Sequence, residues 1–165
     1  MDIKRWWFER SIPRDRTSSH YFGDRRNKHI GILCDSYTDH EMLEKFSQTQ
    51  RLKGNKVSFL YYSDSKLNEK DQTTFDTNDV SWAGVPKSSK IIDFINNQFD
   101  IAYFVLNTCN LPLEYIIRTS KASLKLGFYH KIVEPYLDFS IEADDKTFGQ
   151  RFQFLLQSSQ QLVLG

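Results

Sequence analysis

The chain has 165 residues, 39% hydrophobic and 26% charged, with a formal net charge of +1. That length suits one domain with one core, and that charge excludes a molecule that binds polyanions over its whole surface. No apolar run reaches the roughly 20 residues a membrane-spanning helix needs, and the N-terminus lacks the apolar segment and cleavage site of a secretory signal.

Met1 to Lys28 reads as a separate basic aromatic arm, with eight basic residues against four acidic ones. The remainder, 29–165, carries a net −3. Trp6-Trp7-Phe8 sits between Lys4-Arg5 and Arg10. If Asp2 to Ser11 is helical, Ile3, Trp6 and Trp7 share one face bordered by basic residues, and Pro13 ends or redirects the helix. The rings can pack on the chain's own surface or on a second copy as a homodimer. They can also lie on an anionic membrane, or stack on unpaired bases while the basic residues hold phosphates.

Ile30 to Cys34 reads as the first core strand, closed by Asp35-Ser36. Thr38 or Asp39 caps a helix from His40 to Lys53 with Met42, Leu43 and Phe46 as its stripe, and Gly54 stops it. Val57 to Tyr62 is the second strand. The polar stretch Ser63 to Ser81 is long for a loop without structure, so a short strand is expected at Thr74 to Asp76 or Asp79 to Trp82. Its acidic residues, Asp64 first, are read as solvated. A turn with a buried or half-buried Trp82 follows, then a helix from a Ser88 cap through Asn97.

Ile101 to Leu106 is continuously apolar, as befits a strand covered on both faces. Pro112 fits the first turn of the next helix, which turns Leu113, Ile116 and Ile117 inward and Glu114, Arg118 and Lys121 to solvent. Leu124 to Tyr129 is the following strand and Leu137 to Ile141 a shorter one. Asp144 or Asp145 caps a last helix whose stripe is Phe148, Phe152, Leu155, Leu156 and Leu162. The order predicts one doubly wound, Rossmann-like or flavodoxin-like α/β domain. Its sheet is mostly parallel, with helices on both faces and Ile30–Cys34 beside Ile101–Leu106.

Several stretches carry a resemblance: Trp82-x-Gly84-x-Pro86-Lys87, Phe99-Asp100 before the buried strand, and Ser120-Lys121-Ala122 with Gly127. From Ile30 to the last helix the chain resembles a family of short α/β proteins of unknown function from Bacteroidota. That resemblance transfers no catalytic residue, and it implies an ordinary apolar role at the position of Cys34. A looser resemblance, at the level of fold, is to the N-terminal Rossmann-like halves of two-domain glycosyltransferases.

The sequence has no G-x-G-x-x-G after the first strand, no Walker A loop and no G-x-S-x-G elbow. The four histidines show no ligand spacing, so no metal and no cofactor are expected. Cys34 and Cys109, the only cysteines, are read as thiols of a reducing compartment. The one candidate ligand crevice lies at the ends of the buried strands, where Asp35, Ser36, Asn107 and Thr108 would meet. Local helix caps and turns account for the same residues.

The favoured reading is a non-enzymatic interaction module in the cytoplasm. Lys4, Arg5, Trp6, Trp7, Arg10 and Arg14 would dock it onto a protein or ribonucleoprotein assembly or the face of a membrane. The alternatives are a small-molecule or nucleotide binder using the crevice, and a degenerate glycosyltransferase-like enzyme.

Overall fold

A computed structural model describes residues 2–13, 27–142 and 145–164, with side chains through residue 161. Arg14 and Asp144 lie outside the described residues, as does the side chain of Leu162. Six strands form one all-parallel sheet: β1 His29–Asp35, β2 Lys56–Tyr62, β3 Thr74–Phe75, β4 Ile101–Val105, β5 Leu124–Phe128 and β6 Phe139–Ile141. Among the described residues five α-helices accompany them: α1 Ile3–Ser11, α2 His40–Leu52, α3 Ser89–Asn96, α4 Leu111–Thr119 and α5 Phe148–Leu164.

The strand order is β3-β2-β1-β4-β5-β6. β1 and β4 are parallel neighbours, with Ile30 opposite Ile101 and Cys34 opposite Val105. The chain builds outward from β1 on one side, returns, and builds outward from β4 on the other. The C-terminal ends of β1 and β4 therefore form the topological switch point, where open α/β sheets bind their ligands.

All five residues of β4 are buried, because its two faces support two separate cores. On one face Ala102 and Phe104 pack with Ile91, Phe94, Leu113 and Ile116 of α3 and α4. On the other, Tyr103 and Val105 pack with Leu43 of α2 and Phe152 and Leu155 of α5. The alternation of β side chains thus divides a continuous apolar run between two helical layers.

The caps follow local chemistry. Asp39 accepts from the Met42 N–H, Asn110 from the Leu113 N–H, and Pro112 occupies the first turn of α4. Gly54, at φ 84°, ends α2 in the left-handed region. At α5 the expected aspartate cap gives way to a capping box: the Thr147 hydroxyl accepts from the Gln150 N–H, and the Gln150 side chain accepts from the Thr147 N–H.

Two further expectations are corrected. Trp82 is exposed, because Ala83 and Gly84 take the interior position. Gly84 has φ 82°, and a Cβ there would come within 2.6 Å of the Leu111 Cβ. The polar stretch after β2 is organised by a buried carboxylate instead of being solvated throughout. Asp76 has no exposed surface, and it accepts from the N–H groups of Leu67 and Asn78 and from the Lys70 ammonium. Lys70 also reaches Asp79 at 2.6 Å. Burial disfavours both charged carboxylates, yet these donors hold Asp76 and Asp79 below the usual carboxylate range.

Candidate functional site

At the switch point Asp35 meets Asn107 and Thr108, and the protein's own carboxylate takes the backbone donors gathered there. β1 ends at Asp35, which is only 2% exposed. One carboxylate oxygen accepts from the N–H groups of Asn107 and Thr108, at 2.8 and 3.3 Å, in the loop that follows β4. The other accepts from the Tyr37 N–H at 3.1 Å. Backbone donors converging at a switch point are the usual receptor of a ligand's phosphate. Here a resident anion takes them.

The other crevice residues are also engaged locally. Ser36 is exposed and donates to Asp64 at 3.1 Å, and the Asn107 side chain accepts from Arg151 at 3.1 Å. At the start of α4, Asn110 accepts from the Leu113 N–H through its side chain and from the Glu114 N–H through its carbonyl. The structure brings Asp35, Asn107 and Thr108 together and turns Ser36 toward the loop after β2.

Neither thiol is prepared for nucleophilic chemistry. Burial pushes both Cys34 and Cys109 up to about 12, far from the thiolate that such chemistry requires. The described histidines have local contacts: His29 with Ser58, His40 against the Tyr61 ring, and His130 with the Leu106 carbonyl. Among the described residues no group of three His, Cys, Asp or Glu side chains could hold a metal ion. A depression of about 500 Å³ opens beside α2 and β2, lined in part by His40, Tyr61 and Asp71. Of its two carboxylates, Asp71 is taken by Thr73 and Thr74 and Glu44 accepts from Gln48.

The remaining candidate is α1, whose rings the sequence left free to pack on the chain's own surface, on a second copy or on a partner. Phe8 alone among its side chains is fully buried, edge-on to Tyr115 of α4 with ring centres 5.8 Å apart. Around it lies an ionic lattice. Arg5 donates to both oxygens of Glu114, at 2.6 and 2.8 Å, in the fork geometry that guanidinium and carboxylate share. Arg118 donates to both oxygens of Glu9 and to Glu114. The Arg5–Glu9 pair closes the set. Hydrogen bonds to the opposing groups hold Glu9 below its usual range and Arg5 above it.

This corrects the expectation that Glu114 and Arg118 face solvent: Glu114 is 1% exposed, and Arg118 lies over the Tyr136 ring. The signal was in the sequence as two complementary i,i+4 pairs, Arg5/Glu9 and Glu114/Arg118. Each reads alone as an ordinary surface pair. Only the docking of α1 on α4 joins them.

With Phe8 inward, the positions i, i+3, i+4 and i+7 of α1 face outward: Ile3, Trp6, Trp7 and Arg10. Ile3 is 65%, Trp6 39% and Trp7 49% exposed. The indole rings pack edge to face at 5.2 Å, and the Arg10 guanidinium lies 4.7 Å over Trp6. Of the basic residues expected to dock a partner, Arg10 lies on the open side, Lys4 is exposed one turn before Phe8 on the helix flank, and Arg5 is tied to α4.

No helix among the described residues is long and apolar enough to cross a membrane. No curated protein and no solved structure matches the chain. The model of a family of unknown function (DUF6913) matches residues 4–157, from α1 into α5. The match takes in the outward-facing helix together with the whole sheet, and the chain belongs to that family.

Proposed function

We propose that this protein is a non-enzymatic interaction module whose α/β body presents α1 to a larger assembly or an anionic surface. One observation carries the reading: the apolar stripe of α1 points away from the body while the opposite side of the helix is clamped to α4. Two half-exposed indoles on an anchored helix form a preorganised docking surface, because the helix is already ordered before a partner arrives.

The self-filled switch point weighs against the nucleotide-binding alternative. The glycosyltransferase-like alternative rests on the strand order alone, which many unrelated functions share. An origin in Bacteroidota and a cytoplasmic location rest on the resemblance and composition described above.

The test is fractionation of cell lysate by sedimentation, comparing the intact protein with a variant carrying Trp6→Ala and Trp7→Ala. The intact protein is expected in a fast-sedimenting assembly or membrane fraction, and the variant as a free chain. The thermal midpoint of the variant should stay within about 2 °C of the wild type, because exposed positions cost little. A wild-type protein that sediments as a free chain, or a variant that stays associated, refutes the reading.

A further inference from the structure

Resting on the docking role of α1, we infer that the surface it recognises is an anionic lipid bilayer, on which Ile3, Trp6 and Trp7 enter the headgroup region flanked by Lys4 and Arg10. The first argument is geometric. α1 is flush against α4 on its Phe8 side, so only one side is open. A groove that encloses a helix from several directions cannot close around it, whereas a bilayer surface meets a single open face.

The second argument is charge complementarity. The outward stripe of Ile3, Trp6, Trp7 and Arg10 holds one cation and no carboxylate, with exposed Asp2 and Lys4 at its start and Glu9, 42% exposed, on its flank. Glu9 is held by Arg5 and Arg118, and Asp2 accepts from the Lys4 N–H at the helix start. A cationic border on an aromatic face is what an anionic headgroup layer attracts. Tryptophan favours that interface because an apolar ring and a polar N–H are accommodated in the same zone.

The third argument separates lipid from unpaired nucleic acid, which also attracts basic aromatic surfaces. Stacking needs an uncovered ring face. The Arg10 guanidinium takes one face of Trp6, and Trp7, at 88° to it, cannot join it in one parallel platform for successive bases. Ile3, the most exposed member of the stripe, offers nothing to a base but can enter an acyl boundary.

The experiment uses the full chain with Trp82→Phe, so that indole fluorescence reports α1 alone. The probes are vesicles of phosphatidylcholine and vesicles in which phosphatidylglycerol replaces part of it. A blue shift and cosedimentation are expected with the anionic vesicles only, weakening as salt is raised. Changing Trp6 and Trp7 to Ala, with cosedimentation as the readout, should reduce partitioning at least about tenfold. Changing Lys4 and Arg10 to Gln should reduce it several-fold at low salt and little at high salt. Absence of binding by the folded protein overturns the inference, as does binding that survives the tryptophan changes. Tryptophan-dependent association with a single-stranded RNA oligomer or with a second copy, without vesicle binding, overturns the bilayer but leaves the docking role standing. Loss of Trp-dependent association in lysate as well removes both.

Discussion

Changing Asp35 to Ala tests whether the switch point is held together by its own anion. The substitution removes the acceptor for three backbone N–H groups, those of Tyr37, Asn107 and Thr108, at a residue 2% exposed. A hydrogen bond to a charged group contributes roughly 1.5–3 kcal/mol net, and a buried donor left unpaired costs about 1–3 kcal/mol. Only the Asn107 contact is as short as 2.8 Å, so the sum falls below three full bonds. A loss of about 3–5 kcal/mol is expected. At roughly 2–4 °C per kcal/mol for a domain of this size, the thermal midpoint drops by about 6–20 °C.

The same reasoning predicts chemical rescue. The emptied position is lined with converging N–H donors, so formate or inorganic phosphate should raise the midpoint of Asp35→Ala and leave the wild type unmoved. Asp35→Asn keeps one acceptor oxygen and should lose less. Differential scanning calorimetry with and without added anion is the assay. A variant as stable as the wild type would show that the carboxylate is not the tie between β1 and β4. An unstable variant that no small anion rescues would show that its N–H donors do not form an anion site.

Two more expectations follow from buried groups. Phe8→Ala should destabilise the fold by about 3–4 kcal/mol, the usual cost of emptying a fully buried aromatic position; a loss under about 1 kcal/mol in denaturant titration would mean that α1 is not part of the folded body. The acid side of stability should be steep because Asp71, Asp76, Asp79 and Glu9 are all held below their unfolded values. Groups with depressed folded values stabilise fully above the unfolded carboxylate value of about 4 and lose that contribution as pH falls through the folded value. Midpoints should therefore be level from about pH 5 to 7 with respect to these groups and fall below about pH 4. Asp76→Asn should lower the midpoint at pH 7 by roughly 5 °C and flatten the acid limb, and an unchanged acid limb would contradict the assignment.

The sequence by itself determined the elements of this protein. The unbroken apolar run Ile101 to Leu106 needs cover on both faces, which calls for a parallel sheet between helices. Asp39, Gly54, Asn110 and Pro112 set helix ends through bonds and backbone angles that span a few residues. Adjacent placement of β1 and β4, and with it the meeting of Asp35, Asn107 and Thr108, was legible from the order of strands and helices. What the Asp35 carboxylate does there was not. Whether backbone donors meet a ligand or a side chain depends on the approach of two loops some seventy residues apart.

Only the tertiary structure decided which way α1 faces. Its periodicity allowed Ile3, Trp6 and Trp7 to pack inward, since local pattern weighs only apolar against polar. The docked helix instead buries Phe8 and joins Arg5 and Glu9 to Glu114 and Arg118. That charge matching extends across more than a hundred residues of chain, so the stripe is left outward. The same holds for Asp76 and Lys70, whose polar surroundings read as a solvated loop. Their partners lie within nine residues of chain, yet burial belongs to the assembled molecule, because Asp76 becomes interior where β3 joins the sheet beside β2.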